Sequence, residues 1–358
     1  MEKRSILYSR ISKLSRIYAL FVVLLVIPAL GFSQEKASVD GEKPYDPKVA
    51  IFEHIGDAHS WHTFGKGAIP LPVILYTNKG LEVFMSSRFY NAQHEEVAYK
   101  GNYNYILVND KVKITDDAGK VDDTQKVYDF SITRNVASMW MGMIILLIIF
   151  GSVSAAYKKR HGKAPRGLQS FMEPVILFVR DDIAIPNIGI KHGKYMSLLL
   201  TVFFFILINN LLGLVPFFPG AYNLTGNISV TLTLSFIILI VINFSGNKYY
   251  WKHIFTPEIP LWLYIIMVPV ELIGIISKPF ALMIRLFANI TAGHIIVLSL
   301  ISLIFIFKSL AVSPASVVFV VFMDTIELLV AFLQAYIFTM LSALFIGMAV
   351  QEHHHEVV

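Results

Sequence analysis

From Leu261 to Phe307 the chain runs through 47 residues that are nearly all apolar, and from Ala311 to Ala349 through another 39. Such runs suit a bilayer, where a helix crosses about 30 Å of hydrocarbon in about 20 residues. Each is too long for one upright crossing. As a single helix the first would be about 70 Å long at 1.5 Å per residue. The only plausible break in it is Ser277-Lys278-Pro279. Two spans joined by a tight turn there, or one long helix bent and strongly tilted, satisfy the hydropathy equally. The second run has no proline after Pro314. Lipid alone rarely favours steep tilt, so two overlong neighbours suggest helices packed on a partner.

Three shorter spans precede them, at about Val136–Ala156, Tyr195–Pro216 and Ile228–Ser245. Only 15% of residues are charged, against roughly 25% in soluble domains. The formal charge of +5 is modest and no basic-aromatic patch points to nucleic acid. Without cysteine, thiolate ligands, disulfides and thiol nucleophiles are excluded. YKKRHGKAPR after the first span carries five Lys/Arg, which marks that side as cytoplasmic. GLQSFMEPVILFVRDDIAI is too charged to span and reads as an amphipathic segment on that surface. NKYYWKH after the third span returns basic and interfacial aromatic residues to the same side.

The basic N-terminus, the 14-residue apolar run IYALFVVLLVIPAL and the small residues of GFSQ predict a signal peptide over 1–33, cleaved after Ser33. An exported region follows over 34–133, small and β-rich or partly irregular. Ile69–Thr77, NKG and LEVFMSS read as strand, turn and strand, and a second pair brackets Asn109-Asp110. His54, Asp57, His59 and His62 match no strong metal spacing and are expected to be solvated. The membrane domain occupies 134–352, and 353–358 forms a cytoplasmic tail whose three histidines are also expected to be solvated. The predicted fold class is therefore an all-α polytopic membrane protein of about five helices with a small exported region.

Ionisable groups inside spans are costly and are functional candidates by default; a central arginine costs about 2.5–3.5 kcal/mol on the insertion scale. The first long run holds Glu271, Lys278, Arg285, Asn289 and His294; the second holds Asp324, Glu327 and Gln334. At 100° per residue, Glu271, Lys278, Arg285 and Asn289 share a stripe, and His294 lies on about the opposite face. Asp324, Glu327, Ala331 and Gln334 form another stripe. Lys278 is expected to snorkel, and Asn289 and Gln334 are often only interhelical hydrogen bonds. His294 and Glu327 would make a proton-relay pair. Arg285 is either half of an internal salt bridge, with Glu327 or Glu271, or a fixed positive post. A post would hold a passing carboxylate in its ionised form and repel protons. It would need a mobile carboxylate and two flanking aqueous paths.

A secondary transporter would show inverted repeats, and none is convincing. An intramembrane hydrolase would want a paired nucleophile and base or HExxH, which are absent. No phosphate-binding Gly-rich loop occurs either.

SKPFALMIRLFANITAGH resembles the signature of the a subunit of rotary F-type ATP synthases. LLVAFLQAYIFTMLSALFIGMA resembles that family's C-terminal helix, NNLLGLVPFF its second span and VTLTLS its third. The resemblance covers roughly Ser138 to Glu352 and implies two long, steeply tilted helices. It implies that Arg285 is the essential arginine facing the carboxylates of a rotating c ring. Asn289 and Gln334 would line that interface, His294 and Glu327 the outer path, and Glu271 the path to the cytoplasm. Gly213 stands where some bacterial members have Asp. The implied function is proton translocation through two offset half-channels, without catalysis of its own and without a cofactor. The implied partners are the c ring, b-type peripheral stalk subunits, the remaining complex and the lipid bilayer, with no nucleic acid. The implied location is a bacterial inner membrane, N-terminal region outside and C-terminus inside.

Overall fold

The computed structural model describes residues 51, 56–62, 68–91, 97–108, 110–116, 121–122, 125–159, 164–215, 222, 224–256, 260, 263–307 and 313–350. The signal segment 1–33, His54 and the tail 353–358 lie outside the described residues. Two compact units are distinguished, one of residues 55–291 with 330–358, the other of 1–54 with 292–329.

The larger unit opens with short antiparallel strands. β1 (Ser60–His62) pairs with β2 (Ala68–Pro70). β3 (Pro72–Thr77) lies between β4 (Gly80–Met85) and β8 (Tyr128–Asp129). β5 (Tyr99–Lys100), β6 (Asn104–Val108) and β7 (Lys111–Thr115) form a third sheet. The expected strand Ile69–Thr77 is split at Leu71 between β2 and β3, but both expected hairpins form, after Thr77 and after Val108, because their turns can be made. Gly80 takes φ 110° and Asp110 φ 59°, a region that Gly enters freely and Asp more readily than most. Alternation buries Val73, Leu75 and Phe84 with Phe89, Tyr105, Val112 and Ile114 in a small core.

One expectation is corrected. His59 is 4% exposed rather than solvated. Its Nε2 lies 3.1 Å from Asp129 Oδ2. Asp57 is engaged too, its Oδ1 accepting from the Asn135 amide at 3.1 Å. Among the described residues no group of acidic and histidine side chains is placed to hold a metal. Partial burial alone would raise the Asp129 carboxyl, but hydrogen bonds from His59 and Ser131 outweigh it and hold the group below the usual carboxylate range. A depressed carboxyl contributes stability above its unfolded value, near 4, and loses it as pH falls through the folded value. Asp129→Asn is therefore expected to speed amide exchange in β3 and β8 at pH 7. The difference from the native chain should shrink below about pH 4; a difference unchanged by acid would contradict the assignment.

Among the described residues, five helical stretches are long and apolar enough to cross a membrane. α1 (Arg134–Lys159) starts where Arg134 and Asn135 amides bond back to Ala58 and Asp57. α2 (Leu168–Phe178), a π-helical stretch (Val179–Ala184) and α3 (Ile185–Ile188) form the expected amphipathic segment. Val179, Ile183, Ala184 and Ile188 are buried while Arg180, Asp181 and Asp182 are exposed. α4 (His192–Gly213) follows, then α5 (Ile228–Ser245), whose first turn is capped by Asn227 Oδ1 accepting from Ser229 N at 2.9 Å. NKYYWKH forms a further short helix, α6 (Lys248–Phe255).

The first long run is one helix, α7 (Tyr264–Phe307), continuing through Pro269 and Pro279. That decides between the two alternatives left by hydropathy. A break in hydrocarbon would strand several backbone groups, whereas an internal proline frees few. The second is α8 (Ser313–Val350). At 1.5 Å per residue they are about 66 and about 57 Å long. In the larger unit α8 buries a stripe of small residues, Ala331, Ala335, Ala343 and Ala349, which lets backbones approach closely. Its last carbonyls are satisfied by Asn247, whose amide reaches Ala349 O at 2.9 Å and whose Nδ2 reaches Val350 O at 2.8 Å.

Candidate ion-translocation site

Between Pro279 and Ile290, α7 faces two ways. Leu282, Met283, Leu286 and Ile290 are buried. Ala281, Arg285, Ala288 and Asn289 are exposed together, at the three- and four-residue spacing of one helix face. Among the described residues Arg285 has no ion pair and no hydrogen bond. The internal salt bridge is therefore not what holds it. An unpaired guanidinium stands among small residues on an open face, so a second helix can come close to it.

The buried face is braced by polar groups. Gln334, 3% exposed, accepts from Asn210 Nδ2 at 3.0 Å and donates to Leu286 O at 3.5 Å. Asn210 Nδ2 also lies 3.4 Å from Ala331 O, and Thr225 Oγ1 donates to Asn210 Oδ1 at 2.7 Å. Gln334 thus points into the chain, tied to the backbone one residue beyond Arg285. Asn289 keeps the open face.

Glu271 is half-buried, near the Tyr250 hydroxyl. Burial and the Glu271 charge together raise that hydroxyl above its ordinary range. Lys278 Nζ stands 5.4 Å from the centroid of the Phe345 ring, a cation–π contact. At Gly213 an added Cβ would lie 2.8 Å from the Tyr222 carbonyl oxygen. The space for an aspartate there is filled by backbone.

In the smaller unit, Glu327 is 9% exposed and its Oε1 is buried without a hydrogen-bond partner. A Cβ at Gly293 would lie 2.7 Å from that oxygen. The carboxylate therefore rests against the bare backbone beside His294, which is half-buried. Among the described residues no hydrogen bond joins His294 to Glu327. Asp324, one turn away, is half-buried. Gly293→Ala should fold normally, since the atom it displaces ends a flexible side chain and alanine favours helix by about 1 kcal/mol. It should nevertheless slow proton pumping at unchanged abundance, because Glu327 must move. Unchanged pumping in vesicles would show that this placement is immaterial.

Asn210, Thr225 and Gly293 were not singled out from the sequence. Paired asparagines in an apolar span were a usable signal; Thr225, in a turn, offered none, and the role of Gly293 depends on a contact from another helix.

These features define a multi-pass membrane protein that carries ionisable side chains on its two longest helices. The family model described as ATP synthase A chain matches residues 136–347, and one described as a domain of unknown function (DUF8433) matches 50–130. Among curated relatives, "ATP synthase subunit a" of Chloroherpeton thalassium is 50% identical over 234 residues, 64% of this chain and 69% of that one. "ATP synthase subunit a 2" of Chlorobaculum tepidum is 50% identical, covering 62% of this chain and 64% of the relative. "ATP synthase subunit a" of Myxococcus xanthus is 44% identical, covering 64% and 76%. The chain belongs to the ATP synthase A chain family. It is a proton-translocating subunit of the Fo membrane sector of F-type ATP synthase and is not itself catalytic.

Proposed function

We propose that Arg285 is the fixed charge separating two offset half-channels that load and unload carboxylates on a rotating c ring. The observation that carries this reading is the exposed guanidinium within a 44-residue apolar helix, unpaired among the described residues. His294 and Glu327 serve the path from outside, and Glu271, beside Tyr250, the path to the cytoplasm. Asn289 lines the ring-facing surface with Arg285. Gln334 acts from behind, holding the α7 backbone. A protonated ring carboxylate turns through lipid as a neutral group, returns on the Glu271 side, releases its proton and pairs with Arg285. The membrane potential supplies about 2.3 kcal/mol per charge per 100 mV.

The same reading places the chain in a bacterial inner membrane, as its relatives are bacterial, with b-type stalk subunits as further neighbours. Residues 1–33 are removed on export, 34–133 stand outside, and 353–358 are cytoplasmic. Basic residues at the end of α1, Lys158 and Lys159, support this orientation. The chain has no cysteine, so a cysteine replacing Ala288 is unique in it. Paired with a cysteine beside the ring carboxylate, A288C should form a disulfide in membranes on oxidation. A ring-facing role requires that bond; its absence, with cross-links instead from the buried side at Met283, would refute the assignment.

A further inference from the structure

The β region carries an apolar surface that the proton path does not use. On β3 and β4 the paired residues Tyr76 and Leu81, Ile74 and Val83, and Pro72 and Met85 point to one side. Tyr128 joins them opposite Tyr76, and Phe130 extends the same face, its amide bonding to Ile74 O at 2.8 Å. Leu81, Val83 and Phe130 are 63%, 59% and 66% exposed, and the residues paired across β3 and β4 on this side are all uncharged. Water is a poor environment for such a face, which is larger than scattered surface apolar residues explain.

Its position identifies the occupant. Phe130 precedes Arg134 by four residues, so its Cα lies within about 14 Å of the first turn of α1 at 3.3–3.6 Å per residue. Pairing continues to that point, with Ile132 N bonding to Pro72 O at 3.1 Å. The region is also pinned to the helix bundle. Arg134 N reaches Ala58 O at 2.9 Å, Arg134 donates through its guanidinium to Gly56 O, and Trp61 packs edge-on against Tyr222 at 6.2 Å. It cannot swing away from the membrane. Below it α1 exposes Trp140, Ile144, Leu147 and Ile148 on its own bare side. Aliphatic residues with tyrosines, uncharged and near the end of a spanning helix, have the composition of an interfacial belt.

We infer that the exposed face of the β3–β4–β8 sheet lies in the headgroup and upper acyl layer of the bilayer, making this region a lipid-seated foot of the membrane domain. The test uses the full-length chain carrying V83C, F130C or, as a control on β7, K111C. Each variant is spin-labelled in phosphatidylethanolamine–phosphatidylglycerol vesicles. Oxygen concentrates among acyl chains and a nickel chelate stays in water. At V83C and F130C oxygen collisions should dominate, and at K111C the chelate should dominate. Chelate access at V83C equal to that at K111C overturns the proposal. The unmodified protein in its whole complex supplies a second measurement. A photoactivatable acyl-chain lipid should label the peptide containing residues 80–85. If that peptide instead cross-links to another subunit and takes no lipid, the face is a protein interface and the proposal fails.

Discussion

Arg285→Ala should abolish ATP-driven acidification of inverted membrane vesicles while the complex still assembles. Arginine keeps its charge at any pH a membrane meets. A carboxylate about 4 Å away gains about 4 kcal/mol from it at an effective dielectric of 20. At about 1.4 kcal/mol per decade, that biases the ionised form by nearly a thousandfold. Alanine removes the bias, so the arriving ring carboxylate keeps its proton. It also removes the barrier between the two paths, so membranes stripped of the soluble head should leak protons passively. The variant should be stable, because Arg285 makes no contact that alanine would leave unpaired among the described residues. Full pumping by the variant would reduce Arg285 to a bystander and sink the charged-post mechanism.

Glu327→Gln should have the next largest effect. The substitution keeps the shape but cannot accept or release a proton. Positioned acids and bases contribute about 10²–10⁴-fold to proton transfers, so pumping should fall by about a hundredfold or more. Among the described residues the Oε1 of Glu327 has no hydrogen-bond partner, so replacing the carboxylate breaks no bond at that atom. Assembly assayed by native gel should match the unmodified chain. A loss of assembly parallel to the loss of pumping would indicate that Glu327 is structural. Normal pumping would remove it from the path.

The spans were legible because lipid imposes a simple rule: a helix must be apolar and must satisfy its own backbone. α5 begins and ends at the residues hydropathy indicates, Ile228 and Ser245. The choice between one helix and two at Lys278 was not legible. It depends on how proline is accommodated, and hydropathy carries no record of that. Arg285 stood out because a permanent charge in hydrocarbon is conspicuous whatever surrounds it. Gln334 was noticed for its polarity, but its direction into the chain depended on Asn210, distant in sequence and met only through packing. His59 and Asp57 misled because short-range spacing cannot reveal partners as remote as Asp129 and Asn135.

The burial pattern of α7 has a mechanical consequence. On this helix Ile265 and Ile276 are exposed toward one end, and Ile306 and Phe307 at the other. Its firm grip lies at Leu282, Met283, Leu286 and Ile290, reinforced by Gln334. A rod clamped at its middle is stiff there and compliant toward its tips. On the proposed function, torque from a turning partner would then be taken up as bending toward the extremities. Such a clamp would hold Arg285 at nearly constant height and azimuth, so that successive carboxylates would meet the same charge in the same place even while the helix flexes under load.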